Sequence, residues 1–350
     1  MKYGKWRVVL MITLVAAVLL SAQGLAQELS FDDAVELMYE NNTTLKIAQL
    51  NLEIAQIDYD KAMASNLMSG SQHSAMQAEH SLERAKNTYR NTRQNSYLEI
   101  FRAYTDVLAA ERTLEIRELE LITAEHNFTV VQEKVRIGDA GKLDELQEMN
   151  RVEAARRNEN TARQTLVEKQ RVLRRLVGLS DDATLELSSD FPVPELELSL
   201  EDSIQIGLDN SFSLWDQEYS LELQERQLQT SRIDGTPPID LKRAELNAQI
   251  ARLNLEQEKT NIAESIASAY HSLVESRARY TSATRDWEIA QESYEIYERQ
   301  AEIGLITDMQ LLQQKISMLN SRNALVDASV GYLTSYIQFH HTLGLDGSIQ

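Results

Sequence analysis

The chain repeats itself, and that constrains it more than any other feature. Leu29-Ser30-Phe31-Asp32-Asp33-Ala34-Val35 returns 169 positions later as Leu198-Ser199-Leu200-Glu201-Asp202-Ser203-Ile204, with Asn41 matched by Asn210 and Leu45 by Leu214. Further on the offset settles at 166: Ala103-Tyr104 matches Ala269-Tyr270, Ile137-Gly138 matches Ile303-Gly304, and Val177-Gly178-Leu179 matches Leu343-Gly344-Leu345. A fold built from two copies of one architecture is required. The drift in offset places a three-residue difference between Leu52 and Ala103, at a turn rather than inside a helix.

Breakers divide both halves alike. Helices are expected at about 43–66, 76–137 and 142–177, separated by Ser69-Gly70-Ser71 and by Gly138-Asp139-Ala140-Gly141. The second half repeats them at about 212–233, 241–303 and 307–343, separated by Asp234-Gly235-Thr236-Pro237-Pro238 and by Gly304-Leu305-Ile306. Each half therefore holds one rod of about 62 residues, roughly 93 Å long. Two shorter helices, antiparallel to the rod and stacked end to end, make a second rod of matching length. With 12 Gly and 4 Pro in 350 residues and 25% charged residues, the composition is that of long helices and excludes an all-β or α/β fold.

The long rods carry heptad seams. In the first, Ile100, Val107, Leu114, Leu121, Phe128 and Val135 recur every seven residues, with Ala103, Ala110, Ala124 and Val131 three positions later. In the second, Ile266, Leu273, Tyr280, Trp287 and Tyr294 pair with Ala269, Ser276, Ala283, Ala290 and Tyr297. Glu111, Arg112, Glu115, Glu118 and Glu120, and later Glu288, Glu292, Glu295 and Glu298, are expected to face water. Rods this long have too little core per unit length to stand alone, so a closed homo-oligomer is expected. The only strand region expected is a small patch around Thr184-Leu185-Glu186-Leu187 and Glu195-Leu196-Glu197-Leu198, which alternate at period 2.

Residues 1–26 read as a secretory signal peptide: Lys2, Lys5 and Arg7 precede the apolar stretch Val8 to Ala22, and Gly24-Leu25-Ala26 offers small residues for cleavage. The domain reading is thus 1–26 signal peptide, 27–180 first repeat, 181–197 linker and 198–350 second repeat. Losing three cations leaves 32 Lys+Arg against 54 Asp+Glu, a charge of −22, which argues against nucleic acid as a partner. The chain has no Cys, its six His are scattered, and no P-loop, G-x-S-x-G or zincin pattern occurs, so no catalytic residue, cofactor or metal is expected.

The opening Leu29 to Leu37 with Asn41-Asn42 resembles the "L-(T/S)-x-x-(E/D)-A-x-x-x-A-x-x-N-N" start of TolC-like outer-membrane efflux proteins. Gly138 followed by Leu143-Asp144 and Leu146, and Gly304 followed by Met309-Gln310 and Leu312, are similar to the family's "G-x-x-(S/T)-x-L-D-x-L-x-A" turn. The resemblance covers nearly all of the mature chain. It implies an all-α, TolC-like α-barrel protomer of long antiparallel coiled-coil hairpins, closing as a homotrimer into a hollow cylinder. It further implies an exit duct in a tripartite efflux or type I secretion system, docking a periplasmic adaptor (membrane fusion) protein and an inner-membrane pump. The tip residues it singles out are Gly138, Gly141, Asp144, Gly304, Thr307, Asp308, Gln310 and Gln313. Where family members often carry an Asp ring after the second Gly turn, Gln310 and Gln313 stand here and supply no such ring; Thr307 is expected as an N-cap. The family's β-barrel hairpins are also missing. A membrane-crossing strand needs about 9 to 11 residues, whereas the outer connectors are about 10 residues (Asn66 to Ala75) and 7 (Asp234 to Asp240). A location in the periplasm, or association with an outer membrane by other means, follows from the resemblance. The alternative is a non-conducting periplasmic scaffold that bridges envelope proteins.

Overall fold

The computed structural model describes residues 28–345 apart from 70–71, 182, 184 and 189–190; the signal-peptide reading and Thr184 lie outside the described residues. Two strands and eight helices follow in order: β1 (Glu28–Leu29), α1 (Phe31–Asn41), α2 (Thr43–Ser69), α3 (Gln72–Ile137), α4 (Lys142–Val177), β2 (Glu186–Leu187), α5 (Leu200–Asn210), α6 (Phe212–Ile233), α7 (Pro238–Glu302) and α8 (Asp308–Thr342). Each half is a short helix, a mid-length helix, a 65- or 66-residue rod and a return helix of 35 or 36 residues. The long rods start in register, since Gln72 and Pro238 lie 166 apart. The three-residue drift resolves at the outer turn. There α2 is five residues longer than α6, while two residues rather than four connect it to its rod.

Helix α1 and helix α5 were not anticipated as helices, although both carry an N-terminal signature. Ser30 and Ser199 accept hydrogen bonds from the backbone N–H of Asp33 and Asp202, and acidic residues fill both first turns. Phe31, Ala34 and Met38, at i, i+3 and i+7, bury one face of α1 against Ile100, Phe101, Tyr104 and Val107 of α3 and Leu173 and Val177 of α4. The Phe31 ring meets Tyr97, Phe101, Tyr104 and Phe191 edge-on at 5.5–5.6 Å. In the second half α5 lies over Ile266 so closely that a Cβ on Gly207 would come within 2.2 Å of that side chain.

The ends of the short and return helices are locked together by the same pair in both halves. Asn41 Nδ2 donates to the carbonyl of Val177 at 2.9 Å, beside Gly178 at φ 74°, and Asn210 abuts Gly344 at φ 72°. The left-handed backbone at these C-caps requires glycine. This explains why Asn41/Asn210 and Gly178/Gly344 survive in both copies.

The expected strand patch is corrected in part. Glu186-Leu187 does form a strand, but it pairs in parallel with Glu28-Leu29, while Glu195 to Leu198 form none. Alternation alone does not make a strand without a partner to bond. The Tyr104 hydroxyl ties this patch down, lying 2.7 Å from the Leu29 carbonyl and 2.9 Å from that of Ser188. Replacing Tyr104 by Phe is expected to cost about 1–2 kcal/mol of stability, read from urea unfolding.

The seams pack as expected in the upper part, where Ile100, Val107, Ala103, Ala110, Ile266, Leu273 and Ser276 are buried. Arg112 departs from expectation. It turns into the contact between α3 and α8, its side chain only 16% exposed and Nη2 3.6 Å from Asp327. Burial lowers its pKa and raises that of neighbouring Glu111. The two halves also meet above, where His80 Nε2 lies 2.6 Å from Asp216 Oδ1 and its ring stacks on Tyr219.

Candidate docking tips and outer faces

At the inner end, two glycine turns reverse the chain. Helix α3 closes on Gly138 at φ 85°, with Asp139 N–H reaching back to the Lys134 carbonyl at 2.8 Å. Helix α7 closes on Gly304 at φ 76°, with Leu305 N–H donating to the Gln300 carbonyl at 2.9 Å. A Cβ at either glycine would meet nothing within 4 Å, so the requirement there is one of backbone conformation and not of space.

Four of the polar tip residues singled out in sequence are spent on helix starts. Gly141 is the N-cap of α4, and Asp144 Oδ2 accepts from its N–H at 2.8 Å. Thr307 caps α8, accepting from Gln310 N–H at 3.2 Å, while Gln310 Oε1 accepts from Thr307 N–H at 2.8 Å. Asp308 sits exposed in the first turn, where the helix dipole favours an acid, and Gln313 is exposed one turn later. Glu145 pairs with Lys142 at 2.6 Å, which holds its carboxyl below the usual range.

What the tips present instead is apolar. Ile137 and Leu143 are 69% and 67% exposed, and Ile303 and Leu305 are 72% and 70% exposed. Their signal was in the sequence, since isoleucine precedes each turn glycine, but it was masked by attention to charged positions. Surface hydrophobes gathered at two chain reversals mark an interaction site.

A second set of unpartnered residues runs along the flanks. Helix α3 makes the principal contacts between the halves, through α6 and α8, leaving α2 with α4 on one outer edge and α7 on the other. On α2, Ile47, Leu50, Ile54 and Ile57 alternate spacings of 3 and 4, and each is more than half exposed. On α7, Ile250, Leu253, Ile289, Ile296 and Ile303 are likewise more than half exposed, the last three spaced by seven. Heptad stripes of this kind seek a partner helix. Their levels agree: Ile57 and Ile54 lie 12 and 15 residues from Ser69, and Ile250 and Leu253 lie 12 and 15 residues from Pro238.

The family described as outer membrane efflux protein matches residues 63–179 and again 239–345, well over half of the chain. The chain belongs to the outer membrane efflux protein family. Among curated proteins none matches it. Its fold is that of solved outer-membrane channels: CusC superposes with a TM-score of 0.63 at 15% identity, over 90% of this chain and 92% of CusC. The Campylobacter jejuni CmeC channel gives 0.62 at 15% identity (91% and 87% covered), and VceC from Vibrio cholerae 0.62 at 14% (91% and 97%). The family is one of channels and not of enzymes. As a family member the chain is distinguished by outer turns of two and four residues, Gly70-Ser71 and 234–237, with helices running up to both. No described helix is long and apolar enough to cross a membrane.

Proposed function

We propose that this chain is the protomer of a homotrimeric helical duct, the exit component of a tripartite efflux or type I secretion assembly. Residues 27–180 and 198–350 are its tandem repeats, joined by 181–197. The observation that carries the reading is the pair of apolar stripes at matching levels on opposite edges of one protomer, on α2 and on α7. An edge-to-edge contact between different surfaces is heterologous and either closes into a ring or runs on indefinitely. Three copies bring six hairpins, and the exposed Glu288, Glu292, Glu295 and Glu298 give the wall a cation-favouring face.

In this reading the inner tips receive a periplasmic adaptor, with Ile137, Leu143, Ile303 and Leu305 as the apolar anchors and Gly138, Gly141, Asp144, Gly304, Thr307, Asp308, Gln310 and Gln313 setting the turns that present them. An inner-membrane pump supplies the energy. The outer turns are too short for strands that need about 9 to 11 residues each, so the outer membrane is crossed by another component. Electron microscopy of the mature protein tests the duct: a ring with a central hole is expected, and a thin rod without one would favour a scaffold that conducts nothing.

The tips carry their own prediction. Gly138→Val and Gly304→Val each force a β-branched residue to positive φ, costing about 1–2 kcal/mol locally. Helix content by circular dichroism should be unchanged while co-purification of the adaptor is lost. Unaltered co-purification by the double variant would remove the tips from the docking surface.

A further inference from the structure

Where α8 ends and α6 begins, the composite rod of the second half is interrupted, and a cleft of about 450 Å³ opens between α3 and α7. That volume lies within the roughly 300–1,000 Å³ of ligand sites. The cleft is lined by Asn87, Asn91 and Gln94 of α3, by Glu258 and Asn261 of α7, and by Phe212 at the start of α6, among others.

The α3 face is out of keeping with the rest of its rod. Leu108 and Phe101 occupy one heptad register and are buried in the core. Seven and fourteen residues before Phe101 the same register holds Gln94 and Asn87. Gln94 is only 9% exposed and donates from Nε2 to the Leu345 carbonyl at 2.9 Å, forming the back of the cleft. Local rules broken without a packing gain point to function. In the second repeat the corresponding residues, Thr260 and Leu253, face elsewhere and line no such cleft, so the polar register belongs to the first repeat alone.

The lining also selects a ligand class. One guanidinium, Arg90, and one carboxylate, Glu258, offset each other, so neither an anion nor a cation is favoured. The carboxamides of Asn87, Asn91 and Asn261 each offer a donor and an acceptor, the complement of an acetamido group's C=O and N–H. The Phe212 ring supplies a flat apolar surface for the C–H face of a pyranose. We propose that this cleft binds an N-acetylated amino-sugar chain, one or two rings at a time. Its closed, short outline accommodates rings better than an extended peptide. All the named residues come from one chain, so the proposal stands or falls independently of ring closure.

The test is calorimetric titration of the mature protein with the trisaccharide of N-acetylglucosamine. Saturable binding in the millimolar range or tighter is expected, weakened about tenfold by Asn91→Ala and by Asn261→Ala. Thr161→Ala, on α4 and remote from the cleft, should bind as the unaltered protein does. Asn91 and Asn261 are both exposed, so their truncation leaves folding intact, which an unchanged circular dichroism spectrum verifies. No saturation, or the same affinity in the Asn91 and Asn261 variants, would overturn the proposal. Equal affinity for a glucose trisaccharide would overturn the acetamido assignment, and tighter binding of an alanine tripeptide would reassign the cleft to peptides.

Discussion

Gly178→Val should destabilise the protein by about 3–4 kcal/mol, the largest effect expected from any single substitution discussed. A Cβ at this position falls 2.6 Å from Cγ and Nδ2 of Asn41, and the backbone holds φ 74°. Left-handed geometry costs a residue with a side chain about 1–2 kcal/mol. Displacing Asn41 then sacrifices its 2.9 Å bonds to the Val177 and Leu37 carbonyls, at about 1 kcal/mol each. Urea unfolding measures the loss. A double-mutant cycle with Asn41→Ala separates the contributions, because removing the asparagine relieves the clash and leaves the backbone strain. Strict additivity in that cycle, or a cost below about 1 kcal/mol for Gly178→Val, would mean that the lock between α1 and α4 does not hold the halves of the rod in place.

The second large effect concerns assembly rather than folding. Ile54→Asp with Ile57→Asp on α2, or Ile250→Asp with Leu253→Asp on α7, should convert the oligomer to monomers. Each isoleucine or leucine buried against a neighbouring copy contributes about 1.5–3 kcal/mol, and an aspartate in its place must be desolvated without a partner. The damage recurs at every interface of a closed ring. Light scattering coupled to gel filtration should report the mass of one chain, with the helical circular dichroism signal retained, since these four side chains are exposed in the protomer. An assembly of undiminished mass in both double variants would show that the stripes are not the contact.

Much of this architecture could be read from the chain because its punctuation is local. The helix limits at 43, 137, 142, 177, 212 and 233 follow from glycines and caps within a few residues of each end, and they coincide with the helix bounds observed. The limits that moved did so for equally local reasons: Pro238 opens α7 instead of preceding it, as a residue lacking an N–H can at the first helical position. What escaped depends on distant segments meeting. Glu28-Leu29 carries no strand signal of its own, and becomes one only by lying against Glu186-Leu187. Arg112 sits at a register that solvent could equally have claimed, and only the approach of α8 buries it. At the tips, Asp144 and Gln310 looked like lining groups because their identity was weighed before their position. Both stand three residues into a helix, where a side chain turns back to its own backbone.

The long rods of the two halves differ by a single residue in length, 66 against 65, and start in register. Neighbouring hairpins therefore terminate at common heights, about 98 Å apart at 1.5 Å per residue. A pipe assembled from them would have level rims at both mouths. Whatever extends the path must abut a rim face to face, as one length of tubing meets the next, because no hairpin projects far enough to serve as a sleeve.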